Sequence, residues 1–328
     1  MGKIYHDQDV NMDILNGKTV AVLGYGSQGR SQALNMKDSG VKVIVAEVPG
    51  RAFDRAKEDG MEVMSTPEAA QKADILMILV PDMPQMKIYE EQIKPYLKKG
   101  KVLYFSHGFS ITFKRIKPSK NVDVIMVAPK APGPKLRETY LAGFGTPALV
   151  AVYQDASGNA KNIALALAKA MHFTKAGVFE CTFDQETITD LFGEQAVLCG
   201  GVTELIKAGF STLVEDGYSP EIAYFETLHE LKLIVDLIAE GGLEKMWDTV
   251  SETARYGGRT RGPVLIDERV RKKMKKILKD VKSKKFAKEW IAEYESGMNK
   301  FKQMKEAGMK EQIEVVGGEI RKLFQKPQ

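Results

Sequence analysis

The stretch Thr19-Val20-Ala21-Val22-Leu23-Gly24-Tyr25-Gly26-Ser27-Gln28-Gly29 decides the fold class of this chain. Its first five residues are mostly apolar and β-branched, which favours a buried strand. Gly24 permits a tight turn, Gly26 lets the backbone approach a pyrophosphate, and Gly29 allows a helix to pack closely on the strand. The start of that helix offers N–H groups and a positive dipole end to phosphate. We therefore predict a dinucleotide-binding loop made of Gly24, Tyr25, Gly26, Ser27, Gln28 and Gly29.

Short apolar segments and helical segments alternate on both sides of this loop. The predicted strands are 19–23, 41–46, 74–80, 102–106, 122–128 and 148–152, and the predicted helices are 27–39, 50–59, 85–97 and 159–171. Continuous apolar strands separated by helices indicate a mostly parallel sheet covered on both faces. From Asp184 onward the periodicity is helical almost throughout, with predicted helices at 188–209, 219–241 and 243–256. The sequence thus predicts an α/β Rossmann domain over 1–182 and an all-α domain over 183–328.

Composition and charge exclude several classes of protein. The chain is 44% apolar and 28% charged, as globular proteins are. No run of 18 apolar residues occurs, so we expect no membrane-spanning helix. The basic stretch 269–288 carries apolar residues at helical spacing, which indicates an amphipathic helix and not a nucleic-acid surface. Cys181 and Cys199 form no CxxC pair or zinc spacing, and we expect both to be buried in a cytoplasmic protein.

Two opposed cues for the choice of dinucleotide follow the second predicted strand. Glu47 lies where an acidic residue would bond the ribose 2′-hydroxyl of NAD, whereas Arg51 could meet the 2′-phosphate of NADP. Arg51 is equally well explained as an ordinary surface cation. The segment Pro81-Asp82-Met83-Pro84-Gln85 follows the third strand, at the edge of the sheet where ligands of open α/β folds bind.

Two pairs of carboxylates lie in an acidic region. Residues 183–266 carry 15 acidic against 6 basic side chains, although the whole chain has a net charge of +5. Asp190 and Glu194 are four residues apart, as are Glu226 and Glu230, so each pair shares one face of a helix. Carboxylate oxygens are preferred ligands of Mg²⁺. The alternative is two solvated helix faces, since like charges at this spacing cost little.

His107 and Lys130 each follow a predicted strand, at the end of the sheet where catalysis is expected. An isolated histidine is often structural and a lysine is usually exposed, so neither residue decides the function by itself.

Together these segments resemble the class I, short-form ketol-acid reductoisomerases over nearly the whole chain. The resemblance is carried by Gly24–Gly29, Ser106-His107-Gly108-Phe109, Ala128-Pro129-Lys130, Asp190-Leu191-Phe192-Gly193-Glu194-Gln195, 226–230 and Ser251-Glu252-Thr253-Ala254-Arg255-Tyr256-Gly257. It implies an alkyl migration in 2-acetolactate or 2-aceto-2-hydroxybutyrate chelated to two Mg²⁺. Reduction by NADPH, or also by NADH, then gives the 2,3-dihydroxy acid used in branched-chain amino-acid synthesis.

The resemblance also implies roles for individual residues. Asp190 and Glu194 match metal ligands, Glu226 and Glu230 match carboxylates supplied by a partner subunit, and Ser251 matches the residue that binds the substrate carboxylate. The matching catalytic residues are His107, Lys130 and Glu230, and the matching cofactor contacts are Asp82, Met83, Pro84, Gln85 and Gly133. The helical domain would be knotted, and two chains would intertwine in a dimer or a larger assembly.

Two departures from the family bear on the dinucleotide. The loop after the second strand commonly carries Arg and Ser for the 2′-phosphate, but here these places hold Val48, Arg51 and Phe53, preceded by Glu47. Arg30 stands where His is usual. Two other functions fit the same domain pattern: a metal-independent β-hydroxyacid or prephenate-type dehydrogenase, and a redox-sensing dinucleotide-binding module without catalysis.

Overall fold

A computed structural model describes residues 3–324 of the chain. The chain forms two compact units, one ending at Thr189 and one beginning at Asp190. The division falls inside a helix that begins at Phe183, which is also where the sequence predicts the helical domain to start.

The first unit is built on one sheet. Its strands are β1 (Ile4–Tyr5), β2 (Thr19–Leu23), β3 (Lys42–Ala46), β4 (Glu62–Met64), β5 (Ile75–Ile78), β6 (Val102–Phe105), β7 (Asp123–Pro129), β8 (Ala148–Gln154) and β9 (Val178–Glu180). Their spatial order is β1-β9-β8-β7-β6-β5-β2-β3-β4. Strands β4, β3, β2, β5, β6 and β7 are parallel, which is the strand order of a dinucleotide-binding fold. The predicted Rossmann architecture is confirmed.

The parallel strands are buried on both faces, as their continuous apolar sequence predicts. In β2, Val20 and Val22 pack into the apolar core on one side of the sheet, whereas Ala21 and Leu23 pack into the core on the other side. The order of the strands reverses between β2 and β5. The loops after these two strands therefore flank the crevice where this fold binds its ligands.

Eight helices accompany the sheet in the described part of the first unit. They are α1 (Ser27–Asp38), α2 (Arg51–Glu58), α3 (Thr66–Lys72), α4 (Asp82–Ile88), α5 (Phe109–Thr112), α6 (Gly133–Leu141), α7 (Ala160–Ala170) and α8 (Phe173–Ala176). A π-helical turn at Tyr89–Ile93 and a 3-10 turn at Lys94–Tyr96 follow α4, so the segment predicted as a helix over 85–97 is helical to Tyr96 but not α-helical throughout.

The second unit contains helices and no strand among its described residues. Its helices are α9 (Phe183–Gly193), α10 (Gly200–Glu215), α11 (Pro220–Tyr224), α12 (Leu231–Thr249), α13 (Glu252–Leu265), α14 (Glu268–Lys282), α15 (Lys285–Glu295), α16 (Asn299–Gly308) and α17 (Gln312–Leu323). Its small core is formed by Phe210, Ala223, Tyr224, Ile313 and Ile320. The predicted all-α domain is confirmed.

Two segments of this unit that the sequence predicts as continuous helices are each interrupted by a break. The predicted helix over 243–256 is interrupted because Val250 is extended and Ser251 caps the start of α13. The basic amphipathic stretch is divided between α14 and α15 at Lys284, whose φ of 65° lies in the left-handed region. Neither position carries the glycine or proline that usually marks a helix end in a sequence.

The helical run Phe183–Glu215 is largely uncovered in one chain. It is 33 residues long, and 6% of its apolar 18-residue window is buried. By length and composition alone it is long and apolar enough to cross a membrane, although it contains no uninterrupted run of 18 apolar residues. Cys199, near its middle, is exposed and Cys181 is half-buried, so the expectation that both cysteines are buried was wrong.

Candidate active site

The glycine loop has the geometry that its sequence predicts. Gly24 has a φ of 97°, and a Cβ atom there would lie 2.9 Å from the backbone nitrogen of Val80. A Cβ on Gly29 would lie 1.9 Å from the carbonyl oxygen of Gly24. Gly26 has no atom within 4 Å of such a position and caps the start of α1. The loop is therefore tight beside the sheet and open at the helix N-terminus, where a pyrophosphate would bind.

The segment after β7 closes beside this loop. The Gln28 side-chain amide donates to the carbonyl of Ala131 at 3.0 Å. A Cβ on Gly133 would lie 2.1 Å from the carbonyl oxygen of Ser27, so only glycine allows α6 to begin this close to α1. Gly133 thus lies beside the glycine loop.

Glu47 is held in place at the end of β3. One of its carboxylate oxygens accepts the N–H of Tyr25 at 2.7 Å, and the other accepts the N–H of Val48 at 2.9 Å. Arg51 is exposed at the first position of α2, and Val48 is 72% exposed. The structure therefore brings Glu47 directly against the glycine loop and leaves Arg51 at the solvent side of the same segment.

The predicted contacts Asp82, Met83, Pro84 and Gln85 form the first turn of α4. The Gln85 amide donates to the carbonyl of Val80 at 2.9 Å, and its oxygen accepts the hydroxyl of Ser110 at 2.7 Å. Met83 is buried, and its carbonyl accepts a hydrogen bond from Arg115. Both side chains are buried, so within this turn Asp82 and Pro84 are the more exposed of the four predicted residues.

Glu186 is the centre of a polar cluster that the sequence did not reveal. It lies on the first turn of α9 and is 1% exposed. Its carboxylate accepts the N–H of Gly108 at 3.0 Å, and it contacts His107 Nδ1 at 3.1 Å and Lys130 Nζ at 3.4 Å. A buried carboxylate requires such partners, because an unpaired charge away from water is costly.

This cluster joins the ends of two neighbouring strands. His107 follows β6 and Lys130 follows β7, and both side chains reach the same carboxylate from the carboxyl edge of the sheet. His107 is 21% and Lys130 is 35% exposed, so each faces solvent on one side and Glu186 on the other. The thiol of Cys181 lies nearby, and burial followed by the charge of Glu186 raises its pKa to about 11. The thiolate chemistry that a lower pKa would permit is therefore absent from Cys181.

A signal for Glu186 was present in the sequence. Acidic residues occur at 186, 190 and 194, one helical turn apart, so Glu186 shares a helix face with the predicted pair Asp190 and Glu194. The burial of the first member could not be read from this spacing, because it depends on the loop after β6.

Helix α9 carries Asp190 one turn after Glu186. The ligand atoms of His107, Glu186 and Asp190 lie within 4.8 Å of one another, the one such group of three or more found in residues 3–324. Asp190 is partly exposed and Glu194, which begins the π-helical turn Glu194–Leu198, is exposed. Two carboxylates that face solvent from adjacent turns are a donor set that suits Mg²⁺.

Glu226 and Glu230 belong to a second π-helical segment. Glu226 is inside the turn Phe225–His229, and Glu230 directly follows it. Both are exposed, and within the described chain neither joins a ligand group with Asp190 and Glu194. Ser251 is also exposed, and its hydroxyl accepts the N–H of Ala254 at 3.2 Å as the cap of α13. One chain therefore assembles only part of the predicted constellation.

Two family models match this chain, one on each side of the predicted domain boundary. The model described as the NADPH-binding domain of acetohydroxy acid isomeroreductase matches residues 14–177. The model described as the C-terminal domain of ketol-acid reductoisomerase matches residues 183–326.

Named relatives match over almost their full length. A ketol-acid reductoisomerase (NADP(+)) of Methanocaldococcus jannaschii is 56% identical, with 98% of both chains covered. A ketol-acid reductoisomerase (NAD(+)) of the uncultured archaeon GZfos26G2 is 54% identical over 98% of this chain and 99% of the relative. The solved structure of an NADH-preferring ketol-acid reductoisomerase from an uncultured archean has a TM-score of 0.97 and 54% identity, covering 99% of this chain and 100% of that chain.

Proposed function

The chain belongs to the ketol-acid reductoisomerase family, and we propose that α9 and the glycine loop hold the two reactants, a metal-bound substrate and a nicotinamide dinucleotide. The reaction converts 2-acetolactate or 2-aceto-2-hydroxybutyrate into a 2,3-dihydroxy acid, by alkyl migration followed by reduction. The observation that carries the assignment of the site is the convergence of His107 and Lys130 on Glu186, one turn before Asp190.

We assign Asp190 and Glu194 to two Mg²⁺ ions, together with Glu226 and Glu230. When bound, such ions polarise neighbouring carbonyl and hydroxyl oxygens of the substrate and stabilise the negative charge that moves between them. The donor set fits this ion because it offers carboxylate oxygens and no thiolate. Glu230, the carboxylate we also count as catalytic, would exchange a proton with the substrate hydroxyl during migration.

Glu186 has an orienting role in this proposal. It fixes His107 through Nδ1 and Lys130 through its ammonium group, so both side chains keep one orientation at the mouth of the crevice. The Lys130 ammonium would donate a hydrogen bond to the substrate oxygen that gains charge when hydride arrives. Ser251 would bind the substrate carboxylate. Cofactor and substrate then meet at the carboxyl edge of the sheet.

The glycine loop binds the dinucleotide, and the β3–α2 segment selects it. Glu47 is placed to accept the ribose 2′-hydroxyl of NADH, and Arg51 to pair with the 2′-phosphate of NADPH. We propose that the chain uses both dinucleotides. Relatives named for NAD(+) and for NADP(+) match it about equally well, at 54% and 56% identity.

Self-association would complete the site. Glu226 and Glu230 lie outside the ligand group of α9 within one chain, and the most apolar part of the run Phe183–Glu215 is largely uncovered. A second copy of the chain would supply the missing carboxylates and cover this run, which makes a membrane or nucleic-acid partner unnecessary. We accordingly place the enzyme in the cytoplasm.

A complementation experiment tests this shared site. Asp190→Asn and Glu230→Gln chains are each expected to be inactive alone. If each site takes Asp190 from one chain and Glu230 from the other, a co-expressed mixture contains half mixed dimers with one intact site of two, which gives about a quarter of wild-type activity. No recovery, in a mixture shown by mass spectrometry to contain mixed dimers, would contradict a site built from two chains.

The reaction itself is tested by product analysis. The purified chain, Mg²⁺, 2-acetolactate and either NADPH or NADH should give 2,3-dihydroxy-3-methylbutanoate, identified by mass spectrometry. The metal-independent dehydrogenase alternative is not favoured, since both family models match the reductoisomerase. Failure to form the dihydroxy acid with either dinucleotide would overturn the assignment.

A further inference from the structure

Tyr25 connects the glycine loop to both ends of the β3–α2 segment. It is 1% exposed, and both of its polar groups are engaged. Its backbone N–H donates to Glu47 at 2.7 Å, at the end of β3, and its hydroxyl donates to Asp59 Oδ2 at 2.9 Å, at the end of α2. One buried residue of the phosphate-binding loop therefore contacts the segment on both sides of the exposed residues that select the dinucleotide.

Asp59 is held from a second direction by α1. The Arg30 guanidinium donates through Nε to Oδ2 at 2.7 Å and through a terminal nitrogen to Oδ1 at 2.9 Å, a two-point pair that fixes the plane of the carboxylate. Lys37, two turns further along α1, donates to the backbone carbonyls of Asp59 and Gly60. The C-terminal end of α2 is thus fastened to the same helix that begins at the glycine loop.

The protonation states of Tyr25 and Asp59 match the directions of their hydrogen bonds. Burial raises the pKa of the Tyr25 phenol, so it stays a donor. Hydrogen bonding to Arg30 lowers the pKa of Asp59, so it stays a carboxylate. Asp59 therefore accepts from both neighbours throughout the neutral pH range.

The far end of α2 carries Arg51. Helix α2 has eight residues and is about 12 Å long, so a tilt of about 10° around Asp59 would move Arg51 by roughly 2 Å. A displacement of this size is enough to break a hydrogen bond between Arg51 and a bound 2′-phosphate. By contrast, Glu47 directly follows β3 and is held by the Tyr25 N–H, so it would not move with α2.

We propose that Asp59, held by Tyr25 and Arg30, is a positioning residue for the adenosine end of the dinucleotide. It acts through α2 on Arg51 and thereby on the 2′-phosphate, and it touches neither substrate nor cofactor. This inference rests on the proposed function, since it requires the glycine loop to bind NADPH and NADH. It also gives Arg30 a different role from a direct phosphate contact, because its guanidinium is engaged with Asp59.

The test compares dinucleotide affinities of full-length variants. Asp59→Asn keeps the size of the side chain and removes the charge that holds Arg30. We expect the Kd for NADPH to rise about tenfold and that for NADH about threefold or less, consistent with loss of charge-assisted hydrogen bonds. The KM for NADPH should rise with the Kd, while kcat at saturating cofactor falls less than twofold. Tyr25→Phe removes only the hydroxyl and should shift the Kd for NADPH in the same direction.

Asp38→Asn is the matched control. It removes another Arg–Asp pair from α1, in which Arg137 contacts Asp38 at 2.6 Å on the side of α6. Partly exposed pairs of this kind contribute little to global stability, so both variants should fold. The control should bind both dinucleotides as the wild type does.

The outcomes are distinguishable. A lower Tm for Asp59→Asn with wild-type Kd values for both dinucleotides would overturn the proposal, because the network would then stabilise the fold without affecting dinucleotide binding. An equal rise for NADPH and NADH would also overturn it, because the effect would then not pass through Arg51. If Asp59→Asn does not fold, Tyr25→Phe decides in the same way. A wild-type chain that binds neither dinucleotide would overturn the proposed function and this inference with it.

Discussion

Glu186→Gln is the substitution that probes the centre of the site most sharply. The amide has the shape of the carboxylate, so it leaves no cavity in a position that is 1% exposed. It retains one oxygen, which can still accept the N–H of Gly108. Its NH₂ group replaces an acceptor by a donor on the side of His107 and Lys130, and the variant therefore removes the charge that orients both.

The magnitude follows from the contacts that are lost. A hydrogen bond to a charged group contributes about 1.5–3 kcal/mol. Because about 1.4 kcal/mol corresponds to a tenfold change in rate, losing one such contact in the transition state lowers kcat/KM by about 10- to 150-fold. Lys130 is 35% exposed, and solvent screening reduces its share of this energy. We therefore expect a fall of about 30-fold, toward the middle of that range.

The assay measures steady-state turnover of 2-acetolactate by monitoring the consumption of NADPH. Asp184→Asn is the matched control, because it removes the same charge from the exposed first turn of α9. It should retain wild-type kcat/KM. NADPH binding by Glu186→Gln should also be unchanged, since the dinucleotide loop lies on other elements.

Wild-type kcat/KM in a folded Glu186→Gln chain would refute this reasoning. A fall of the same size in Asp184→Asn would refute it too, because the effect would then arise from the charge of α9 as a whole.

Four further outcomes are expected. Asp190→Asn abolishes isomerisation, and calorimetric titration with Mg²⁺ should show weakened binding; full turnover would remove Asp190 from the metal site. Glu230→Gln is severely impaired, by about 100-fold or more if one charged contact and a proton acceptor are lost; a wild-type rate would contradict its role. Arg51→Ala weakens NADPH more than NADH, and equal losses in the two Kd values would show that Arg51 does not meet the 2′-phosphate. The pKa of Asp59 is lowered in the folded chain, so its contribution to stability is present above the carboxyl's unfolded pKa and is lost as pH falls through the folded value. The Tm difference between wild type and Asp59→Asn should therefore shrink below about pH 4, and a difference that grows on acidification would contradict this sign.

Much of the first unit could be predicted because each element leaves a local signal. The strand Thr19–Leu23 is buried on both faces, and its sequence is correspondingly apolar. The glycine loop combines a left-handed Gly24 with a close contact at Gly29, two constraints that only glycine meets. Strands β1, β4 and β9 were missed because two or three residues show no periodicity.

The parts that were missed depend on contacts between distant segments. Glu186 is buried because the loop after β6 donates the Gly108 N–H to it, and no spacing within α9 reports that partner. The network of Tyr25, Arg30 and Asp59 joins three elements in the same way. The helix break at Lys284 leaves no local signal, because lysine is a good helix former, whereas the β-branched Val250 before the capping Ser251 is a weak local signal. The four carboxylates could be proposed as metal ligands from the sequence because i, i+4 spacing is local.

Chelation tests the central claim most directly, that carboxylates on helices and a dinucleotide on the Rossmann domain serve one reaction. The measurement is 2-acetolactate turnover before and after EDTA, with NADPH binding followed by fluorescence in the same samples. EDTA should abolish turnover, Mg²⁺ should restore it, and the Kd for NADPH should stay constant throughout. Turnover that persists in EDTA would contradict the account, because the reaction would then need no metal at Asp190 and Glu194.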